Sequence, residues 1–281
     1  MIDALELAPT APTTRVDVRR ISGARLSDRA ERDEVAVESP VALVFNGISH
    51  AVMMATPCDL EAFALGFALS EGLLASKAEC HGIELVALDG GAFEVQLAVA
   101  ASAEMRLKER RRTLAGRTGC GLCGIDSLSQ LDLSAGPLRP QAWVRTLEPD
   151  TVLRAIEQLA SLQPMNALTG AHHAAGWAGP SGELTLVMED VGRHNALDKL
   201  LGQRLLDGHT HDSGFVAMTS RLSYELVRKC ARMEVPVLAA ISAPTQLAID
   251  IAAQAGMTLY GFCRDRRAVM YAGPHLKPNL K

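Results

Sequence analysis

Two thiols sit three positions apart, at Cys120 and Cys123, inside Gly119-Cys120-Gly121-Leu122-Cys123-Gly124. Glycine removes side-chain bulk and permits positive φ, so this stretch reads as an exposed loop in which another molecule can reach sulfur. The basic run Arg106-Leu107-Lys108-Glu109-Arg110-Arg111-Arg112 and then Arg117 precede it. Neighbouring cations favour the thiolate, which is the nucleophilic and metal-binding form of cysteine. Taken alone, the pair fits a sulfur nucleophile, a reversible dithiol or half of a zinc site. Zinc needs two more ligands at suitable spacing, and Cys58, Cys80, Cys230 and Cys263 form no second pair. A thioredoxin-type dithiol is expected between a strand and a helix of a βαβ unit, whereas these cysteines follow a basic helix.

A second group of candidate residues recurs at predicted strand ends. Glu189-Asp190-Val191-Gly192-Arg193-His194-Asn195, Ser220-Arg221-Leu222-Ser223, Ser242-Ala243-Pro244-Thr245 and Arg264-Asp265-Arg266-Arg267 are each polar or cationic. The first three open helices, whose free N–H groups favour anions, and arginine forks grip phosphates bidentately or stack on flat rings. Thr169-Gly170-Ala171-His172-His173-Ala174-Ala175 adds imidazoles among small residues and reads as a loop close to a ligand. Each stretch also has a bland reading: a helix cap for Ser-Ala-Pro-Thr, a solvated charge run for the arginines, and core packing for Phe262. Glu189 and Asp190, adjacent on a strand, point to opposite faces, which suits helix-start electrostatics better than paired acid-base work.

The elements that must carry these groups follow from periodicity. Residues 1–33 lack sustained hydrophobic periodicity and read as a mobile arm with a short strand near Val16-Asp17-Val18. Residues 34–145 read as an α+β domain with antiparallel hairpins. Its first hairpin runs from Glu34 to Phe45 and Ser49 to Met54 around Asn46-Gly47, and its second turns at Asp89-Gly90-Gly91. Between them Thr56 is expected to cap a helix with Pro57 at its first position and with Leu60, Phe63, Ala64 and Phe67 on its apolar stripe. Ser102 is expected to cap the basic helix. Residues 146–281 alternate strand and helix from Glu183 to Tyr271, after an opening helix at Pro149, and predict a three-layer α/β/α domain. In such sheets ligands bind beyond the carboxyl ends of the strands.

Composition narrows the partners. With 281 residues, 48% hydrophobic content and a formal net charge of -4, the chain has material for a large core and no generic attraction to nucleic acid or anionic membrane. Six cysteines are too few for a disulfide framework and fit reduced thiols in the cytoplasm. The acidic start and the lack of any apolar run near the length of a membrane span argue against export and insertion.

The cysteine motif, Glu189-Asp190-Val191-Gly192-Arg193-His194-Asn195-Ala196-Leu197-Asp198-Lys199, Ser223-Tyr224-Glu225 and Thr258-Leu259-Tyr260-Gly261-Phe262-Cys263-Arg264 together resemble the formate dehydrogenase accessory sulfurtransferase family, FdhD. Thr56-Pro57, Ser70-Glu71-Gly72 and Thr169 to Ala175 extend the resemblance over roughly Glu34 to Tyr271. It implies a sulfur carrier that receives persulfide sulfur from a cysteine desulfurase and passes it to the Mo-bis-molybdopterin guanine dinucleotide cofactor before insertion into formate dehydrogenase. It also implies a cytidine-deaminase-like second domain, a homodimer, no resident zinc, and a pocket in which a guanine nucleotide can stand in for the cofactor.

Carried over by residue, the resemblance puts the persulfide on Cys120, with Cys123 as the second member of the pair. It puts the cofactor on Phe262, Cys263, Arg264, Asp265, Arg266 and Arg267, and identifies His173 rather than His172 as the family's histidine. Gly192, Arg193, His194, Ser220, Arg221 and Ser242 complete the expected pocket from the strand-end reading. Ala171 and Ser220 stand where the family often has glycine. Zinc deaminases use His-x-Glu and Pro-Cys-x-x-Cys; no His-x-Glu occurs and Cys120 follows glycine, so hydrolytic deamination is not expected. The rival readings are a cofactor-binding chaperone that carries no sulfur and a dithiol oxidoreductase that needs both cysteines.

Overall fold

The computed structural model describes residues 11–112, 135–210, 212–274 and 276, with side chains in the last described turn before the gap described only through Lys108. In the first half, alternating apolar residues set one buried sheet face: Val41, Leu43 and Phe45 on β5 (Ser39–Phe45), and Phe93, Val95, Leu97 and Val99 on β8 (Phe93–Val99). With β6 (Ile48–Ala55) and β7 (Cys80–Ala87) they form a four-stranded sheet of order β6-β5-β8-β7. The central β5 and β8 run parallel and the outer pairs antiparallel. Asn46 and Gly47 turn the first hairpin with φ of 46° and 76°, the left-handed pair that a two-residue hairpin loop requires.

α1 (Leu60–Ser70) lies on this sheet, but it starts later than expected. Asp59, at φ 52°, precedes its first turn, and Thr56 is occupied across the molecule instead of capping. Ser102 likewise sits inside α2 (Ala101–Arg112), where its hydroxyl donates to Glu79 rather than capping. Of residues 1–33, 1–10 lie outside the described residues, and the short strand expected near Val16-Asp17-Val18 is present as part of a longer paired ribbon. From Thr13 onward the chain forms β1 (Thr13–Val18) paired antiparallel with β4 (Glu31–Ala36), with β2 (Ile21–Ser22) and β3 (Arg25–Leu26) at the tip. Glu34 therefore belongs to this ribbon and not to the first hairpin. Cross-strand pairs such as Arg15 with Glu34 and Arg20 with Glu31 accompany the pairing, a signal that hydrophobic periodicity does not register.

The second half opens with α3 (Pro149–Ser161) and α4 (Pro164–Thr169), followed by β9 (His173–Ala178), β10 (Leu184–Asp190) and α5 (Arg193–Leu206). Next come β11 (Phe215–Met218), α6 (Tyr224–Arg232), β12 (Val237–Ala240), α7 (Gln246–Ala255), β13 (Thr258–Arg264) and β14 (Arg267–Ala272). The sheet order is β10-β9-β11-β12-β13-β14, parallel through β11, β12 and β13 and antiparallel on both flanks. Val152, Ala155, Ile156 and Leu159 of α3 cover one face; α5, α6 and α7 cover the other. Of the stretch expected as a ligand loop at Thr169–Ala175, Gly170, Ala171 and His172 form a connection, while Thr169 ends α4 and His173, Ala174 and Ala175 begin β9. Ala174-Ala175-Gly176-Trp177-Ala178 is buried on both faces, so no alternation marks it as a strand.

The two halves meet through α1 and α5. A Cβ on Gly66 would lie 1.8 Å from the Asp198 carbonyl oxygen, and one on Gly202 would lie 1.9 Å from the Ala62 carbonyl oxygen. The helices therefore touch backbone to backbone, and α1 is buried between the first sheet and α5. None of the described helices is long and apolar enough to cross a membrane.

Candidate functional site

The carboxyl ends of β10, β11, β12 and β13 and the start of β9 all open at one end of the six-stranded sheet. The loops there are laced to one another. Leu222 N–H donates to Ala243 O at 3.1 Å, Thr245 N–H to Leu222 O at 2.9 Å, and Phe262 N–H to Ser242 O at 3.1 Å. Gly261 is pressed so closely that a Cβ would meet Pro244 at 2.9 Å. Of the expected pocket residues, this end brings together His173, Gly192, Arg193, His194, Ser220, Arg221, Ser242, Phe262 and Arg264.

Phe262 has φ of 51° at an irregularity between Gly261 and Arg264, and it stands 38% exposed, so it is not a core residue. Arg264 lies 6.0 Å from its ring. A solvent-facing aromatic with a guanidinium nearby provides a flat apolar face and a cation, the features that a nucleotide base and its phosphates use. Arg193 Nε, His194 Nε2 and Ser223 Oγ are buried without a hydrogen-bond partner at the starts of α5 and α6. Burial, then the neighbouring Arg193 and Lys229, push the His194 imidazole down to about 4, and Glu225 stands 3.9 Å away. Burial followed by Arg193 also lowers His173. Burial thus favours the neutral form of both imidazoles, which offers hydrogen bonds rather than charge.

Other expected residues are directed elsewhere. Cys263 is fully buried among α3 and the sheet, and burial pushes its thiol up to about 11. Arg266 pairs with Asp150 at 2.6 Å and Glu157 at 3.6 Å on α3. Arg267 pairs at 3.8 Å with Asp265 in an exposed turn where Asp265 and Arg266 both have positive φ. Glu189 accepts from the Met165 and Asn166 N–H groups, whereas Asp190 accepts from Gly192 and Thr56, so the two carboxylates serve opposite faces as expected.

Cys120 and Cys123 lie outside the described residues. The other four cysteines carry no disulfide. Burial raises the thiols of Cys58, Cys80 and Cys230 as well as Cys263, with Cys58 at about 11 despite Lys199 at 3.7 Å. None of these four is an activated thiolate. Among the described residues no group of three or more His, Cys, Asp or Glu side chains is placed to hold a metal.

Beneath the site lie residues that pattern-reading did not single out as a unit. Asp190 Oδ1 accepts from Gly192 N–H at 2.8 Å and Asn195 Nδ2 at 2.9 Å; its Oδ2 accepts from Thr56 N–H at 3.0 Å and pairs with Lys199 at 2.7 Å. One turn further along α5, Asp198 accepts from Ser70 Oγ at 2.7 Å and from Lys229 at 2.8 Å, while Lys229 also pairs with Glu71 at 2.8 Å. The legible signal is a charged doublet, Asp198-Lys199, embedded in Ala196-Leu197 and Leu200-Leu201, because a helix that buries charge must find partners for it.

The chain matches the family model described as FdhD/NarQ family over residues 36–276. A Chromobacterium violaceum protein named "Sulfur carrier protein FdhD" is 56% identical over 87% of this chain and 90% of its own length. A protein of the same name from Bordetella parapertussis is 49% identical over 92% of each chain. A solved structure from Desulfotalea psychrophila superposes with a TM-score of 0.73 over 94% of this chain and 98% of its own, at 24% identity, and agrees in fold. On the family match and these identities, the chain belongs to the FdhD/NarQ family.

Proposed function

We propose that this chain is a sulfur carrier for formate dehydrogenase, with Cys120 as the thiol that holds the transferred sulfur. The observation that carries this reading is the thiol inventory. Of six cysteines, burial disfavours the thiolate of the four described ones, and the remaining two form the glycine-flanked Cys120-Gly121-Leu122-Cys123 pair. The names of the relatives, sulfur carriers at 49% and 56% identity, point the same way.

In the loading step the Cys120 thiolate attacks the outer sulfur of a cysteine desulfurase persulfide. The donor's S–S bond breaks, its cysteine leaves as a thiolate, and Cys120 becomes the persulfide. The cargo's recipient is the Mo-bis-molybdopterin guanine dinucleotide cofactor, held at the strand-end mouth of a cytidine-deaminase-like second half. Phe262 supplies a stacking face there, and Arg264, Arg221 and Arg193 supply cations for the phosphates. The carrier works as a homodimer in the cytoplasm. The fit is to the substrate's anionic and planar parts; Arg266, already paired with α3, and buried Cys263 contribute to the shape of the β13–β14 turn rather than to ligand contact.

Intact-mass analysis after incubation with a cysteine desulfurase and cysteine tests the loading step. The expected result is an added sulfur atom that reductant removes and that Cys120→Ala abolishes. A wild-type chain that gains no sulfur under conditions where the desulfurase turns over overturns the reading.

A further inference from the structure

Resting on the reading of the strand-end mouth as a ligand pocket, we propose that Thr56, a residue of the first half, is a positioning residue for that mouth. Thr56 is wholly buried and has no route to a ligand. Its N–H, hydroxyl oxygen and carbonyl nevertheless each bond to the second half, the carbonyl also accepting from Cys58 N–H at 2.8 Å in its own half. Its Oγ1 accepts from Val191 N–H at 3.1 Å, its N–H donates to Asp190 Oδ2 at 3.0 Å, and its carbonyl accepts from Lys199 Nζ at 3.0 Å. Asn195 adds a fourth link by donating at 2.8 Å to Met54 O, just before Thr56, and at 2.9 Å to Asp190.

The segment clamped in this way is Val191-Gly192, which delivers Arg193 and His194 to the mouth. Gly192 cannot cap α5 with a side chain, and no side-chain cap is made there. The loop's backbone therefore depends on Asp190 for Gly192 N–H and on Thr56 for Val191 N–H. A buried N–H that loses its acceptor is driven to rearrange. Thr56 thus sets the loop's shape from beneath and ties the first half to the half that presents the mouth. This also explains why Thr56 starts no helix: its hydroxyl is committed to another element.

Thr56→Val keeps the volume and removes the acceptor, while Thr56→Ser keeps the acceptor. The test is amide hydrogen exchange at Val191 and Gly192 in the full chain, alongside calorimetric titration with GDP. Exchange at these two amides is expected to rise on the order of tenfold in Thr56→Val, with α7 and β12 unchanged, and GDP affinity is expected to fall by a similar factor. Thr56→Ser should match wild type in both. If Thr56→Val folds poorly, Asn195→Ala breaks the adjoining link and should accelerate the Gly192 amide in the same local manner. Exchange that stays at the wild-type level, or that rises evenly over the whole chain, overturns the proposal because Thr56 then serves stability alone. A wild-type chain that does not bind GDP overturns the pocket reading instead, and the exchange measurement still decides the role of Thr56.

Discussion

Asp198, Lys229 and Glu71 form a charge cluster in which Asp198 and Lys229 are almost entirely buried. Burial alone would raise the Glu71 carboxyl, but Lys229 and then Arg228 outweigh it and hold the group at about 2. Burial lowers Lys229, yet Asp198 and Glu71 more than reverse this and its affinity for a proton is raised. Removing one partner strands a buried charge, so Asp198→Ala is expected to cost about 3–5 kcal/mol in chemical denaturation. A loss below about 1 kcal/mol would mean that the cluster is hydrated and of little consequence.

Glu71, His194 and Asp198 shape the pH dependence. Glu71 has a folded value below its ordinary 4.5, so its contribution is complete above that pH and is lost as pH falls toward 2. His194 has a folded value of about 4 against an ordinary 6.5, so the unfolded chain binds more protons between those limits and stability falls with pH there. Both act in the same direction, whereas Asp198, raised by burial from 3.8 to about 6, opposes them, because the folded chain binds more protons between those values and stability rises as pH falls there. Denaturation midpoints of wild type and His194→Gln measured from neutrality down to about pH 4 isolate the histidine: wild type should lose stability relative to His194→Gln as pH falls below 6.5, because Asp198 contributes equally to both.

At the scale of elements, α1 shows what a single sequence reveals and what it conceals. Its apolar residues were legible. Its start was not, because Thr56-Pro57 has the form of a cap but its hydroxyl is committed across the molecule. Its second packing surface was equally hidden: Gly66 reads as a neutral break in an apolar helix until α5 is seen against it. Gly66→Ala and Gly202→Ala each push a Cβ into a carbonyl oxygen on the other helix. Each is expected to cost at least about 3 kcal/mol, the upper end for overpacking, in urea denaturation. A cost below about 1 kcal/mol would show that the helices can separate without penalty. β9 was missed for a related reason, since small residues buried on both faces leave no alternation to read, whereas β5 and β8 in the first sheet announced themselves by period.

At the scale of the whole molecule, the alternation of strand and helix after Pro149 and the polar groups at strand ends were enough to foresee a layered sheet with a mouth at one end. The structure brings nine of the expected pocket residues to that end. It turns Arg266 toward Asp150 and Glu157, acids that lie far away in sequence and that no local pattern connects to it. The buried ties between the halves were invisible for the same reason, since Thr56 with Asp190 and Ser70 with Asp198 are separated by 134 and 128 residues. Those ties make the two halves one packed body.

The central claim is that sulfur travels through Cys120, and a pulse of radioactive sulfur tests it most directly. The chain is loaded from labelled cysteine by a cysteine desulfurase and then mixed with formate dehydrogenase awaiting its cofactor. The label should leave the wild-type chain and accumulate with the cofactor of formate dehydrogenase, and Cys120→Ala should neither load nor deliver it. Label that reaches the cofactor undiminished in Cys120→Ala would contradict the account.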